Sequence, residues 1–142
     1  MRLFELPSFL EKSLISRADY VRWLERKAAT HVKRDRKRGN TSASISAYKR
    51  AIHSAVCASE GRDAYTGELL DWHLISTYDN HESKQGRRDY KAKFALLPTV
   101  DHIGDGTGLA DFKICAWRTN DAKGDLSLEA FVALCERVLK NR

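Results

Sequence analysis

Three side chains in the last third of the chain have the types that hydrolytic chemistry needs. Asp101 and His102 are adjacent, and Asn120 follows beyond a glycine-rich stretch. The carboxylate and the carboxamide are hard oxygen donors suited to Mg²⁺, Mn²⁺ or another divalent cation. The imidazole beside them is a base near neutral pH. Phosphodiester hydrolysis needs an attacking water, a base for its proton and neutralisation of charge at the phosphate. One metal ion and one imidazole supply these, because the base replaces the nucleophile-activating job of a second ion. Two protein ligands suit Mg²⁺, which keeps several waters and takes phosphate oxygens from its substrate. Lys123 is the natural phosphate contact beside such an ion, with Arg118 next to it.

These residues need two extended arms and a helix to hold them. The run from Phe94 to Val100 reads as a strand that delivers Asp101-His102 into a loop containing Gly104, Gly106 and Gly108. The chain returns through Phe112, Ile114 and Ala116, alternating with Lys113, Cys115 and Trp117, and a helix-like segment carries Asn120. Successive strand residues point to opposite faces. For Asp101 and His102 to share one site, the first strand must therefore end at or before Asp101, which the glycines allow.

The stretch from Pro98 to Gly124 resembles the ββα-metal motif of HNH endonucleases. Asp101-His102-Ile103 matches its opening, and Asn120-Asp121-Ala122-Lys123-Gly124 matches its Asn-x-x-Lys-Gly end. Asp111, nine residues before Asn120, stands where the family has a middle Asn. The resemblance implies an α+β fold in which an N-terminal helical region packs on a ββα nuclease core with a C-terminal helix. It implies His102 as general base, Asp101 and Asn120 as metal ligands, and Asp111 in the place of the Asn that supports the imidazole. Upstream, Asp63-Ala64-Tyr65-Thr66-Gly67 is similar to the Cys-x-Tyr-Cys-Gly hairpin of many HNH domains. Asp63 and Thr66 replace the first pair of cysteines, and Ala116 and Thr119 replace the second. No structural zinc is expected.

The whole chain is compatible with that chemistry. It has 142 residues, 42% of them hydrophobic, enough for one compact core with an appendage. A formal charge of +6 favours an anionic partner, DNA or alternatively RNA. We expect a basic helical region over 1–60 and the HNH-like part over 61–142. Three scattered cysteines without paired spacing read as reduced thiols in a cytoplasmic protein. The first residues lack a leader pattern, and no apolar run approaches the ~20 residues of a membrane span. A palindromic cut would require a homodimer.

Helix signals are strongest near the N-terminus. Ser16-Arg17-Ala18-Asp19 reads as a cap, and Tyr20, Trp23, Leu24, Ala28 and His31 share one face. Gly39-Asn40 stops that helix. Its last turns carry Lys33, Arg34, Arg36, Lys37 and Arg38, more cations than a helix C-terminus needs, and read as a phosphate-tracking surface. A second helix starts within Thr41–Ser44 and runs to about Ser59, with Ile45, Tyr48, Ile52 and Val56 inward. Leu70, Trp72 and Leu74 predict a strand. The polar stretch 77–93 contains Arg87 and Arg88 and reads as a DNA-contacting loop. Leu128, Phe131, Val132, Leu134, Cys135, Val138 and Leu139 predict a final helix with a broad apolar face. The competing function is a non-catalytic nucleic-acid-binding protein with the same fold, or a ribonuclease.

Overall fold

The computed structural model describes residues 4–11, 15–77 and 92–142. Most of the basic stretch that includes Arg87 and Arg88 lies outside the described residues. The fold is mixed α+β, and among the described residues it has four α-helices and one two-stranded antiparallel sheet.

Helix α1, Arg17–Lys37, begins where the Ser16 side chain accepts the Asp19 N–H at 3.1 Å. Steps of three and four residues bury Tyr20, Trp23, Leu24, Ala28, His31, Val32 and Asp35 on one face. The chain leaves α1 through Gly39 at φ +99°. Helix α2, Ile45–Ser59, is capped by Ser44, whose side chain accepts the Ala47 N–H at 3.1 Å. It buries Tyr48, Ile52 and Val56. Ile45, expected in the same stripe, is exposed at the open end of the helix.

Strands β1, Pro98–His102, and β2, Phe112–Ala116, pair in register from Pro98↔Ala116 to His102↔Phe112. Helix α3, Trp117–Lys123, follows β2 without a loop. Helix α4, Leu128–Asn141, is capped by Ser127, which accepts the Ala130 N–H at 3.1 Å.

Two expected strand segments are not strands. Trp72–Ser76 forms a 3₁₀ helix, and the Trp72 indole N–H donates to the Gly61 carbonyl at 3.1 Å. Residues 94–97 turn rather than extend. Their carbonyls have another use: Leu97 accepts the Trp117 N–H at 2.8 Å and Ala95 accepts the Arg118 N–H at 3.1 Å. The first N–H groups of α3, which no intrahelical partner satisfies, are thereby paired. Trp117 is half-buried against the core.

One hydrophobic core runs from Leu10 to Ala116 and draws on α1, α2, the 3₁₀ helix and both strands. Trp23 of α1 meets Trp72 edge-on at 5.5 Å between ring centroids. The core is thus continuous across residue 60. Trp23→Ala should cost about 3–5 kcal/mol, and urea denaturation should still show one transition by both fluorescence and far-UV circular dichroism. Two separated transitions would mean that the halves fold independently.

Candidate functional site

The site is assembled around a buried carboxylate, Asp63. The chain after α2 places it at the head of a tight turn closed by the Arg62↔Leu69 bridge. Its Oδ1 accepts the N–H groups of Tyr65 at 2.7 Å and Thr66 at 3.2 Å. Its Oδ2 accepts the Ala116 N–H at 3.0 Å and the Thr119 hydroxyl at 2.7 Å. The Ala64 N–H donates to the Ile114 carbonyl at 2.9 Å, which adds a backbone tie to β2. Asp63 thus pins a turn, the end of β2 and the first turn of α3 to one point. Burial pushes its carboxyl up, but the hydrogen bonds from Ala116, Thr119, Tyr65 and Thr66 together outweigh that and hold it below the usual carboxylate range.

That pinning presents Tyr65 and the inner face of α3 to β1. Asp101 is buried on this side. Its Oδ2 accepts the Tyr65 hydroxyl at 2.5 Å and lies 3.1 Å from Lys123 Nζ. Burial, reinforced by the neighbouring Asp101 carboxylate, raises the Tyr65 hydroxyl, which stays protonated as a donor. Lys123 is itself buried, one turn beyond Thr119 on α3. Asn120 is half-buried, three residues before Lys123 on the same helix. Asp101 and Lys123 therefore meet between β1 and α3. Lys27 of α1 reaches the same strand, donating to Thr99 Oγ1 at 3.2 Å, and its burial pulls its ammonium down to about 8.

His102 lies on the other side. β1 stays paired through its last residue, so Asp101 and His102 project to opposite faces. The condition for a shared site, a strand ending by Asp101, is not met. The imidazole is sealed in, with 4% of its side chain exposed, and Nδ1 stands 2.8 Å from Asp35 Oδ2 of α1. That contact is close but not in line for a hydrogen bond. The same Asp35 oxygen accepts the Tyr48 hydroxyl at 2.7 Å. Burial first, then this bond, pushes Tyr48 up to about 12. Asn40 donates to the Tyr48 oxygen at 3.3 Å and to the Gly106 carbonyl at 2.9 Å. Gly106 has φ +88°, and a Cβ there would fall 2.5 Å from Asp35 Oδ1, so both backbone and space require glycine. Phe112, with its ring centroid 4.6 Å away, and His31 wall the imidazole. Burial, with Arg34 beside it, pulls His31 down to about 4, so it is neutral.

The carboxylate beside His102 is therefore Asp35, not Asp111. Asp111 is exposed at the end of the loop, where its carbonyl accepts the Ile103 N–H at 2.8 Å.

Lys33, Arg34, Arg36, Lys37 and Arg38 are all exposed while Asp35 in their midst turns inward. Arg36 donates to the Ala43 carbonyl at 2.9 Å, Arg34 contacts His31 Nδ1 at 2.6 Å, and Arg38 reaches the Asp105 carbonyl at 3.5 Å. The basic end of α1 thus borders the loop that follows His102. Arg118 is exposed and pairs with Glu68, and Lys123 is committed to Asp101.

Comparison with models of protein families, with curated proteins and with solved structures returned no match. Sequence reasoning missed Asp35, Tyr48 and Tyr65 as neighbours of the site. Asp35 carried a signal: it continues the buried stripe four residues after His31, and a carboxylate on a buried face needs a partner.

Asp63 contributes stability that is present above the ordinary carboxyl range, near pH 4, and lost as pH falls through its lowered folded value. Asp63→Asn should therefore cost about 2–3 kcal/mol at neutral pH and flatten the loss of stability below that range. Urea denaturation across pH measures both, and an unchanged acid slope would remove Asp63 from this role.

Proposed function

We propose that the protein is a metal-dependent HNH-type endonuclease that hydrolyses phosphodiester bonds of DNA, with β1, β2 and α3 as its ββα core. The observation that carries this reading is the set of donors to Asp63. Positions 63, 66, 116 and 119 are those at which zinc-bearing HNH domains have cysteines. In this chain Thr66, Ala116 and Thr119 all donate to the Asp63 carboxylate. An accidental match of short motifs gives no reason for these four positions to meet. A carboxylate acting as the hub in place of zinc does.

On this reading Asp101 and Asn120 hold the divalent cation, which supplies charge neutralisation at the phosphate when bound. Their oxygens suit Mg²⁺ or Mn²⁺. Both described contacts to the Asp101 carboxylate fall on Oδ2, and Lys123 provides its counter-charge. Lys123 then turns from Asp101 to a phosphate oxygen as substrate enters. His102 accepts the proton of the attacking water, and Asp35 holds the ring. Because Asp101 and His102 face opposite sides of β1, the last pair of the strand must open. Gly104, at φ +93° with open space around its Cβ position, supplies the give, while Asn40 pins Gly106.

His102→Ala should reduce Mg²⁺-dependent plasmid nicking by about 10²- to 10⁴-fold, and Asp35→Asn by about 10- to 100-fold with DNA binding retained. A His102→Ala protein that nicks as fast as the parent sinks the catalytic assignment. A second reading, a non-catalytic nucleic-acid-binding protein, is favoured by the closed Lys123–Asp101 pair and by the separation of Asp101 from His102. Salt-sensitive DNA binding without cleavage in Mg²⁺ or Mn²⁺ would select it. Parallel assays on duplex DNA, single strands and RNA separate the ribonuclease alternative.

A further inference from the structure

His53 and Cys57 stand one turn apart on α2, off the face that buries Tyr48, Ile52 and Val56. Cys57 is exposed and His53 half-buried. Cys57 Sγ lies 3.8 Å from His53 Nε2. His53 Nδ1 lies 2.6 Å from the hydroxyl of Tyr20, which α1 holds fully buried. Phe4 meets the same ring edge-on at 5.4 Å between centroids. The imidazole is thus held from behind, with its other nitrogen beside an exposed thiol. We infer that His53 and Cys57 form a binding site for Zn²⁺, with Tyr20 as a positioning residue. This does not depend on the nuclease reading.

The geometry suits that ion. Tetrahedral zinc, with sulfur at about 2.3 Å and nitrogen at about 2.0 Å, sets those two atoms about 3.6 Å apart. The observed 3.8 Å needs almost no adjustment. A metal on Nε2 places the ring proton on Nδ1, where the Tyr20 oxygen accepts it and fixes the ring. Burial pulls His53 down, so the ring is neutral, as a ligand must be. Burial also pushes the Cys57 thiol up, so binding displaces its proton. A thiolate with an imidazole selects zinc over Mg²⁺, which takes oxygen donors. Cys57 lines an open cleft with Ser8, Phe9, Glu60 and Arg62, which admits the ion and its waters. Among the described residues no third histidine, cysteine or carboxylate joins the pair. Water therefore completes the coordination, and zinc should bind more weakly than at a four-ligand structural site. Cys135 is also exposed, but its helix contains no histidine.

Titration of the full chain with Co²⁺, a spectroscopic stand-in for zinc, followed by competition with Zn²⁺, tests this. The expected result is a thiolate-to-cobalt charge-transfer band that saturates at one equivalent and that Zn²⁺ displaces. The band should persist in Cys135→Ser and vanish in Cys57→Ser. His53→Ala should raise the zinc Kd at least about tenfold, and Tyr20→Phe should raise it about 10- to 100-fold while keeping the band. Cys57→Ser should leave Mg²⁺-dependent nicking and the unfolding midpoint in zinc-free buffer unchanged, so this site and the nuclease reading are judged separately. A parent chain that gives no band overturns the proposal. So does a band that survives Cys57→Ser, or a zinc affinity that His53→Ala does not move.

Discussion

The Asp63 carboxylate is the constraint on which the rest of this structure depends. A two-stranded sheet and a seven-residue helix have little surface with which to hold each other. A fixed anion that accepts four hydrogen bonds from a turn, a strand end and a helix start supplies the missing join. The geometry is demanding, because each donor must be buried and aimed. Satisfied together, the bonds offset the cost of burying the charge. Tyr65 then sits over Asp101, and Lys123 points inward, because their elements are attached to that point.

A second buried carboxylate, Asp35, performs a related task on the far face of the sheet. It joins α1, α2, the end of β1 and the glycine loop through His102, Tyr48 and Asn40. β1 thus lies between two carboxylate-centred networks. The period-two alternation of a strand decides which neighbour goes to which. Asp101 falls on the α3 side and His102 on the α1 side. The proposed chemistry needs both on one phosphate, so the end of β1 is the place where a resting arrangement would have to become a working one.

Much of this was legible in the sequence where local rules govern. Ser16 and Gly39 bound α1, and the spacing of Tyr20, Trp23, Leu24, Ala28 and His31 gives its buried face. The β1–loop–β2–α3 order was readable from alternation, glycines and the Asn-x-x-Lys-Gly spacing. What was not legible depended on partners far along the chain. Leu70, Trp72 and Leu74 alternate like a strand, but the chain from Trp72 to Ser76 winds into a 3₁₀ helix, tied by the Trp72 indole bond to Gly61. Phe94-Ala95-Leu96-Leu97 looks extended, but its carbonyls satisfy the start of α3. Asp35 hid inside a run of five cations, and Asp111 drew the supporting role by position in the motif. The apolar pattern of α4 was visible, but the sequence gives no sign that none of its residues would be buried.

Two properties separate this account from its rivals: a fold that needs no metal and an activity that does. The most direct measurement follows plasmid nicking and thermal unfolding in the same samples, with chelator and after Mg²⁺ is restored. The account predicts that nicking stops in chelator and returns with Mg²⁺, while the unfolding midpoint stays where it was. A protein that never nicks at any divalent ion, or whose fold is lost with its metal, would contradict it.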